Sequence, residues 1–237
     1  MKWIIITIIL LLIILGCIIF YMYSGETYNQ NLKIYASFTT IPERLENLEP
    51  TIKSLVNQSY PIEKIFVNIP YGKSKRSGKK YYVPKYLSKY KQVEVTRGKD
   101  LGPGTKILGS LHKIPQDGYV LVVDDDMIYK KKHLKHLVEN FNTKKYDAIG
   151  FSHSGSGGVC GLTGFLIKRN ILNNLFNYFK QLPSICYYVD DVWITEYIFK
   201  NNYKIKSYFS SVFDLKLGAN LYNTFLGKNK KSSLSTT

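Results

Sequence analysis

Cysteine and acidic residues are scarce in this chain. Only three of its 237 residues are cysteine, too few for a fold held together by disulfides. Cys17 lies in an apolar run, so only Cys160 and Cys186 are candidates for a pair, and two free thiols explain them equally well. The 17 acidic residues face 33 lysines and arginines, a formal net charge of +16. That excess is compatible with phosphorylated ligands, polyanions or anionic lipid, although scattered lysines more often form a solvated surface.

A long run without charge occupies the amino terminus. Residues 3–22 are uncharged and mostly strongly apolar, which is enough for one helical membrane span. Because the run is long and no small-residue cleavage site follows it, an uncleaved anchor over residues 1–23 is favoured over a cleaved signal peptide. Lys2 on its amino side predicts a single-pass protein with a cytoplasmic amino terminus and a lumenal domain. The glycosylation acceptor pattern at Asn57 agrees with that orientation.

After a short polar stem at 24–32, the pattern predicts one α/β domain over 33–227 and a disordered basic tail at 228–237. Short apolar runs alternate with segments of helical periodicity, which indicates a mostly parallel sheet flanked by helices. The predicted strands cover 33–39, 64–70, 93–96, 119–123 and 148–151. The predicted helices cover 45–57, 103–113, 133–141, 166–179 and 191–200. The basic segment 73–80 is predicted to be a flexible loop.

Three adjacent aspartates, Asp124, Asp125 and Asp126, follow the apolar run 119–123. Adjacent carboxylates repel one another and cannot be buried in an apolar core, so a divalent cation with oxygen ligands is the simplest explanation. A helix N-cap in an acidic turn would need one aspartate and not three. The carboxyl end of a strand is also where open α/β sheets bind ligands. The triplet therefore predicts a metal site that serves a phosphorylated substrate.

Two polar loops are expected beside the triplet, because alternate connections of a parallel sheet emerge at one edge. Thr39, Thr40 and Arg44 follow the first predicted strand. Asp100 and Lys106 enclose a glycine-containing segment, whose backbone N–H groups can approach an anion while the lysine neutralises phosphate. Together with the carboxylates, these residues are suited to a metal–diphosphate complex.

An acidic pair, Asp190 and Asp191, opens the last predicted helix. A helix N-cap needs only one of them, and the pair is expected at the same edge of the sheet as the triplet and the two polar loops. Trp193 beside the pair is interpreted as a core aromatic more readily than as a sugar platform. The histidines of the predicted helices are interpreted as surface residues: His112, His133 and His136.

The order of these segments resembles nucleotide-sugar-dependent glycosyltransferases of the GT-A fold, especially family-2-like members, over about residues 33–205. The matching segments are SFTTIPER at 37–44, LEPTIKSLVNQ at 48–58, DLGPGTK at 100–106, VDDD at 123–126 and YVDDVW at 188–193. The resemblance implies a GT-A-like mostly parallel sheet, here preceded by one transmembrane helix. It also implies a donor linked to UDP or GDP and a glycan, protein or lipid acceptor, with no nucleic-acid partner expected.

The resemblance assigns roles to the triplet and to the residues around it. It implies that the triplet is a D-x-D motif in which Asp126 coordinates Mn²⁺ or Mg²⁺ on the diphosphate, with Asp124 beside the metal or the ribose. Asp191 would be the base of an inverting reaction, with Asp190 beside it. The implied nucleotide-binding residues are Thr39, Thr40, Arg44, Asp100, Lys106, Asp124 and Asp125.

The chain departs from the family pattern at two places. No Gln-x-x-Arg-Trp motif follows Asp191, which argues against a processive polysaccharide synthase. No histidine follows His153, so a late metal-ligating histidine is missing, and Asp214 or water would have to complete the metal shell.

Three other functions compete with glycosyl transfer. A haloacid-dehalogenase-like phosphatase would need its acidic motif near the first strand, not in mid-domain. A basic protein that binds polyanions or membrane surfaces would explain the charge but neither acidic cluster. A catalytically inactive family member is the third alternative.

Overall fold

The computed structural model of this chain describes residues 2–23, 28, 30–152, 157–161, 163–209 and 226–228. The helices are α1 Lys2–Tyr23, α2 Glu49–Val56, α3 Thr105–Leu108, α4 His133–Glu139, α5 Leu175–Gln181 and α6 Asp190–Lys200. The strands are β1 Ile34–Thr39, β2 Lys64–Asn68, β3 Val93–Thr96, β4 Tyr119–Val122, β5 Met127–Tyr129, β6 Ala148–Ser152, β7 Phe165–Lys168, β8 Ile205–Phe209 and β9 Leu226–Lys228. Short 3₁₀ helices cover Pro42–Asn47, Lys85–Lys89, Gly102–Gly104, Leu111–Lys113, Arg169–Leu172 and Ser184–Tyr188.

Seven strands form one sheet in the order β3-β2-β1-β4-β7-β6-β8. The pairs β1–β2, β1–β4, β2–β3 and β6–β8 are parallel, and only β7 runs against its neighbours β4 and β6. Strands β5 and β9 form a separate antiparallel pair. The predicted mostly parallel sheet is therefore confirmed.

Apolar side chains cover both faces of the sheet. Along β1, Ile34, Ala36 and Phe38 belong to one buried cluster, which α2 and α4 complete. Val120 and Val122 of β4 belong to the second cluster, on the face that α5 and α6 cover. Burial of each such side chain contributes roughly 1.5–3 kcal/mol for the larger types. A layer of helices on each face leaves the carboxyl ends of the strands as the open edge.

The predicted helix over 166–179 is wrong in its first half. Phe165–Lys168 forms strand β7 between β4 and β6, and the helix α5 begins only at Leu175. Phe165, Leu166 and Ile167 are fully buried. A short continuous apolar run fits a buried strand and a buried helix equally well, so periodicity does not distinguish them.

Two other predicted helices are interrupted. The segment predicted as 45–57 is a 3₁₀ helix, Pro42–Asn47, followed by α2, which has Pro50 in its first turn. A proline is tolerated there because the first N–H groups of a helix have no intrahelical partner. The segment predicted as 103–113 contains α3 between two 3₁₀ turns.

The predicted membrane anchor over 1–23 is not confirmed. Helix α1, Lys2–Tyr23, covers this segment, but its side chains are described only for residues 6–16. Within the described part of the chain, no helix has the length and apolar character needed to cross a membrane. The lumenal placement of the domain stays a prediction.

The two ends of the predicted domain make contacts of their own. In the predicted stem, the Tyr28 N–H donates to the Glu139 carbonyl, and Gln30 Nε2 donates to the carbonyls of Val138 and Phe141. The strand β9 reaches Lys228, the first residue of the predicted tail. Residues 229–237 of that tail, His153 and Asp214 lie outside the described residues.

Candidate active site

A cavity of about 290 Å³ opens at the carboxyl ends of the strands β1 to β4. All of the predicted site residues line it: Thr39, Thr40, Arg44, Asp100, Lys106, Asp124, Asp125, Asp126, Asp190 and Asp191. A second hollow of about 410 Å³ lies along β3, but its lining is mostly apolar, with Lys85 as its charged member. The chemistry is therefore concentrated in the first cavity, which we call the carboxylate pocket.

A buried polar network fixes the back of this pocket. Thr39 Oγ1 donates to the Asn68 carbonyl at 2.8 Å, and Thr40 lies buried next to it. Asn68 Nδ2 donates to Ser37 Oγ at 2.9 Å, and Ser37 Oγ donates to the Lys106 carbonyl at 2.5 Å. These bonds join β1, β2 and α3, so the backbone of Lys106 is held against the ends of the strands.

Arg44 neutralises two members of the aspartate triplet. Its Nη1 lies 2.5 Å from Asp125 Oδ1, and its Nη2 lies 3.2 Å from Asp126 Oδ2. Burial raises the pKa of Asp125 to about 6, although the charge of Arg44 works in the other direction. Because the side chain of Asp125 is only 6% exposed, it serves Arg44 and the fold more than it faces a ligand.

Lys106 joins the triplet to the acidic pair. Its Nζ lies 2.5 Å from Asp124 Oδ1 and 2.9 Å from Asp190 Oδ2, and its side chain is 7% exposed. Burial opposes the charge of the ammonium, but Asp124 and Asp190 keep the pKa of Lys106 well above its ordinary value. The predicted phosphate partner is thus already occupied by two carboxylates.

Asp191 has the environment of a general base. Its Oδ1 accepts a hydrogen bond from the Gly161 N–H at 3.0 Å. Burial raises the pKa of Asp191 to about 6, and the nearby carboxylates of Asp190 and Asp124 act in the same direction against the charge of Lys106. A carboxylate with a raised pKa holds a captured proton better than an ordinary aspartate does.

Asp100 connects the loops of Lys75 and Tyr187 through hydrogen bonds. Its Oδ1 accepts from the Gly102 N–H at 2.8 Å and the Tyr187 hydroxyl at 3.1 Å. Its Oδ2 accepts from the Lys75 N–H at 3.0 Å and the Tyr81 hydroxyl at 3.4 Å. Two donors on each oxygen use much of the accepting capacity of a carboxylate. A contact between Asp100 and a nucleoside stays a prediction.

The triplet fits a cation that shares its shell with a ligand. In the described part of the chain, no three His, Cys, Asp or Glu side chains are placed to hold a metal together. The side chains of Asp124 and Asp126 are 25% and 18% exposed towards the pocket, and both offer hard oxygens. Mg²⁺-type sites commonly use one or two carboxylates, with substrate phosphates and water completing the shell. The residues present therefore fit Mn²⁺ or Mg²⁺ bound in that way.

Six polar side chains of the pocket were not among the predicted site residues. They are Ser74, Lys75, Arg76, Tyr81, Tyr187 and Tyr188. Four belong to the predicted basic loop 73–80 and to the residue after it. The loop forms a turn closed by the bridge between Lys73 and Lys80, with φ of +74° at Gly72 and +71° at Gly78. Its flexibility stays a prediction. Its density of lysine and glycine was a signal of such a turn, but not of its place at the pocket.

The remaining side-chain predictions have mixed outcomes. No disulfide joins Cys160 to Cys186. Trp193 is 1% exposed and belongs to the core, as predicted. His112 is exposed, but the surface position of His133 is wrong, because it is buried against the Tyr129 ring at 5.3 Å and burial lowers its pKa to about 3. His136, one turn further along α4, is half-buried.

With fold and pocket defined, the chain can be assigned to a protein family. The family model "Glycosyl transferase family 2" matches residues 39–197, more than half of the chain. The chain therefore belongs to glycosyl transferase family 2, and the resemblance inferred from its motifs is confirmed. None of the curated protein sequences matches it significantly.

Two solved structures have a similar fold. The mannosyltransferase PcManGT from Pyrobaculum calidifontis, in complex with GDP-Man and Mn²⁺, is 12% identical with a TM-score of 0.54, over 78% of this chain and 56% of that one. The S. aureus protein TarS, residues 1–349, is 18% identical with a TM-score of 0.52, over 75% of this chain and 58% of that one. The chain thus spans a little over half the length of both, and at such identities the likeness shows the fold alone.

Proposed function

We propose that this protein is a metal-dependent glycosyltransferase that moves a sugar from a nucleotide-sugar donor to an acceptor hydroxyl. The observation that carries the proposal is the meeting of two carboxylate groups in one pocket. Asp124 and Asp126 offer oxygens to a cation, and Asp191, whose pKa is raised to about 6, lines the same pocket. Membership of glycosyl transferase family 2 supports the same reaction class.

The donor end of the pocket is assigned to the aspartate triplet. Asp126, with Asp124 beside it, would hold Mn²⁺ or Mg²⁺, which neutralises the diphosphate as it departs. The complex of PcManGT with GDP-Man and Mn²⁺ supports this choice of metal and of donor class. Arg44 holds Asp126 in place by their ion pair, so the carboxylate is oriented before a ligand arrives.

The acceptor end is assigned to Asp191. Its carboxylate takes the proton of the acceptor hydroxyl while the acceptor oxygen forms a bond to the anomeric carbon. The bond from that carbon to the diphosphate oxygen breaks, and its electron pair leaves with the nucleoside diphosphate. Attack from the face opposite the leaving group inverts the anomeric configuration.

A donor screen tests the proposal. We expect the protein to hydrolyse or transfer from one of a panel of UDP- and GDP-sugars in the presence of Mn²⁺, and to lose that activity with a chelator. Asp126→Asn should lower the rate about a hundredfold or more, because it removes a charge that acts on the leaving group. Asp117→Asn is the matched control, since that carboxylate pairs with Lys33 far out in solvent.

Two results would contradict the proposal. Absence of turnover, together with absence of metal-dependent nucleotide binding, would exclude the enzyme and leave a basic binding protein, detectable as salt-sensitive polyanion binding that Asp126→Asn does not change. A product with retained anomeric configuration, seen by proton NMR, would exclude Asp191 as the base of a single displacement.

A further inference from the structure

The cations of the carboxylate pocket differ in whether they are already neutralised. Six carboxylates and four cationic side chains line the pocket, so its own charge is negative. Arg44 and Lys106 each contact two of those carboxylates. Lys75 and Arg76 are the other two cations, and within the described part of the chain no carboxylate lies within ion-pair distance of their side chains.

A diphosphate needs cations that the back of this pocket does not supply. A divalent cation on the triplet would offset part of the carboxylate charge, but a bound diphosphate adds negative charge again. Redirecting Lys106 to a phosphate would leave Asp124 and Asp190 unpaired in a buried setting, which is costly. Lys75 and Arg76 carry no such cost.

Hydrogen bonds within the turn stabilise the backbone that carries these two cations. The buried Ser74 Oγ accepts from the N–H groups of Arg76 and Ser77 at 3.2 Å and 3.4 Å. The Ser74 N–H donates to the Lys79 carbonyl at 2.8 Å, which closes the turn. Because these bonds hold the backbone of the turn together, the side chains are the main part that a ligand would have to immobilise.

The position of Lys75 is fixed from two sides. Its N–H donates to Asp100 Oδ2 at 3.0 Å, and its Nζ lies 4.6 Å from the centre of the Tyr187 ring. Tyr187 in turn donates its hydroxyl to the Asp100 carbonyl at 2.7 Å. Contact with the aromatic face replaces part of the water around the ammonium and leaves its charge unchanged, so the ammonium can still attract an anion.

We propose that Lys75 and Arg76 form a binding site for the diphosphate of the nucleotide-sugar donor. This inference rests on the proposed function, because it names a site for the same donor. The ammonium acts as a point charge, and the guanidinium can hold two phosphate oxygens at once. The diphosphate then lies between the aspartate triplet on one side and the basic turn on the other.

Calorimetric titration of the full chain with UDP and with GDP, in the presence of Mn²⁺, tests this site. The double variant Lys75→Gln and Arg76→Gln keeps the backbone bonds of the turn but removes both charges. We expect about a ten- to hundredfold weaker Kd for the nucleoside diphosphate that the protein binds, and a smaller loss of affinity on addition of salt. Affinity for the corresponding nucleoside, uridine or guanosine, should not change.

The control is the double variant Lys85→Gln and Lys89→Gln, which removes the same charge from exposed residues outside the pocket. It should bind the diphosphate as the unmodified protein does. Circular dichroism and the melting temperature verify that both variants fold, and the single variants Lys75→Gln and Arg76→Gln provide a second measurement.

The outcomes separate this inference from the proposed function. Diphosphate binding by the Lys75→Gln and Arg76→Gln variant that equals that of the control overturns the basic turn as a binding site and leaves the proposed function standing. An unmodified protein that binds neither UDP nor GDP overturns the proposed function, and the present inference with it.

Discussion

The floor and the rim of the carboxylate pocket differ in how far their charged side chains are buried. The floor consists of Arg44, Lys106, Asp190 and the aspartate triplet, where buried ion pairs neutralise each cation. The rim consists of residues 73–81 and Ser184–Tyr188, where the cations are exposed. The difference shows that buried charges near the strand ends serve to orient carboxylates, whereas charges free for a ligand are found on the connections.

Removal of the Lys106 ammonium should give the largest loss of stability. Lys106→Met leaves Asp124 and Asp190 without their cation, and breaking such a buried pair costs about 3–5 kcal/mol of the free energy of unfolding. Urea denaturation measures the loss. Lys113→Met is the control, because its pair with Glu94 is between side chains 38% and 36% exposed and should contribute less than about 1 kcal/mol. Equal losses would show that the floor is no more tightly built than the surface.

Asp191 should separate chemistry from binding within the same pocket. Asp191→Asn removes the proposed base, so kcat should fall about 10²- to 10⁴-fold. The donor Kd should stay within about twofold, since the base acts on the acceptor and not on the diphosphate. Steady-state kinetics and calorimetry measure the two quantities. A fall in donor affinity as large as the fall in kcat would assign Asp191 to the donor end instead.

Gly102 tests how the rim is held to the floor. Its φ is +63°, and a Cβ at this position would lie 2.5 Å from Tyr187 Cε1. Gly102→Ala should therefore displace the ring from Asp100 and lower the free energy of unfolding by about 1–3 kcal/mol. Gly98→Ala is the matched control, because no atom lies within 4 Å of its Cβ position and its φ is not positive. A neutral Gly102→Ala in thermal unfolding would mean that the rim adjusts freely.

The pH dependence of the rate should report the protonation state of Asp191. Burial raises the pKa of Asp191 to about 6, and a base works only when deprotonated. As pH falls through 6 the carboxylate takes up a proton, so kcat should drop about tenfold for each further pH unit. A pH–rate profile measures this, with circular dichroism to verify that the fold persists. A rate that stays level down to pH 4 would exclude a base with this raised pKa.

Much of the fold follows from local patterns in the sequence. The run 119–123 and the charge that follows it predicted both β4 and the place of the triplet. Strand β7 could not be predicted in the same way, because three buried apolar residues look alike in a strand and in a helix. His133 was misplaced for a related reason, since the pattern of α4 does not state how deep its polar positions lie.

The candidate site was predictable as a set of residues but not as a set of contacts. Every predicted site residue lines the pocket, because parallel strands deliver their connections to one edge. The sequence assigned Lys106 to phosphate, yet its ammonium binds Asp124 and Asp190. Which cation meets which carboxylate depends on distances across elements far apart in the chain, and these are set by packing.

The sequence by itself determined that carboxylates would gather at the end of a parallel sheet. Repulsion among Asp124–Asp126, and a strand that cannot bury them, were sufficient for that. The resemblance to family 2 glycosyltransferases came from the order of five motif segments, which the family model confirms. Only the tertiary structure decided which charges remain available. It paired Arg44 and Lys106 with carboxylates in the floor and placed the turn of Lys75 and Arg76 at the rim. A buried charge has to be paired, whereas an exposed charge does not.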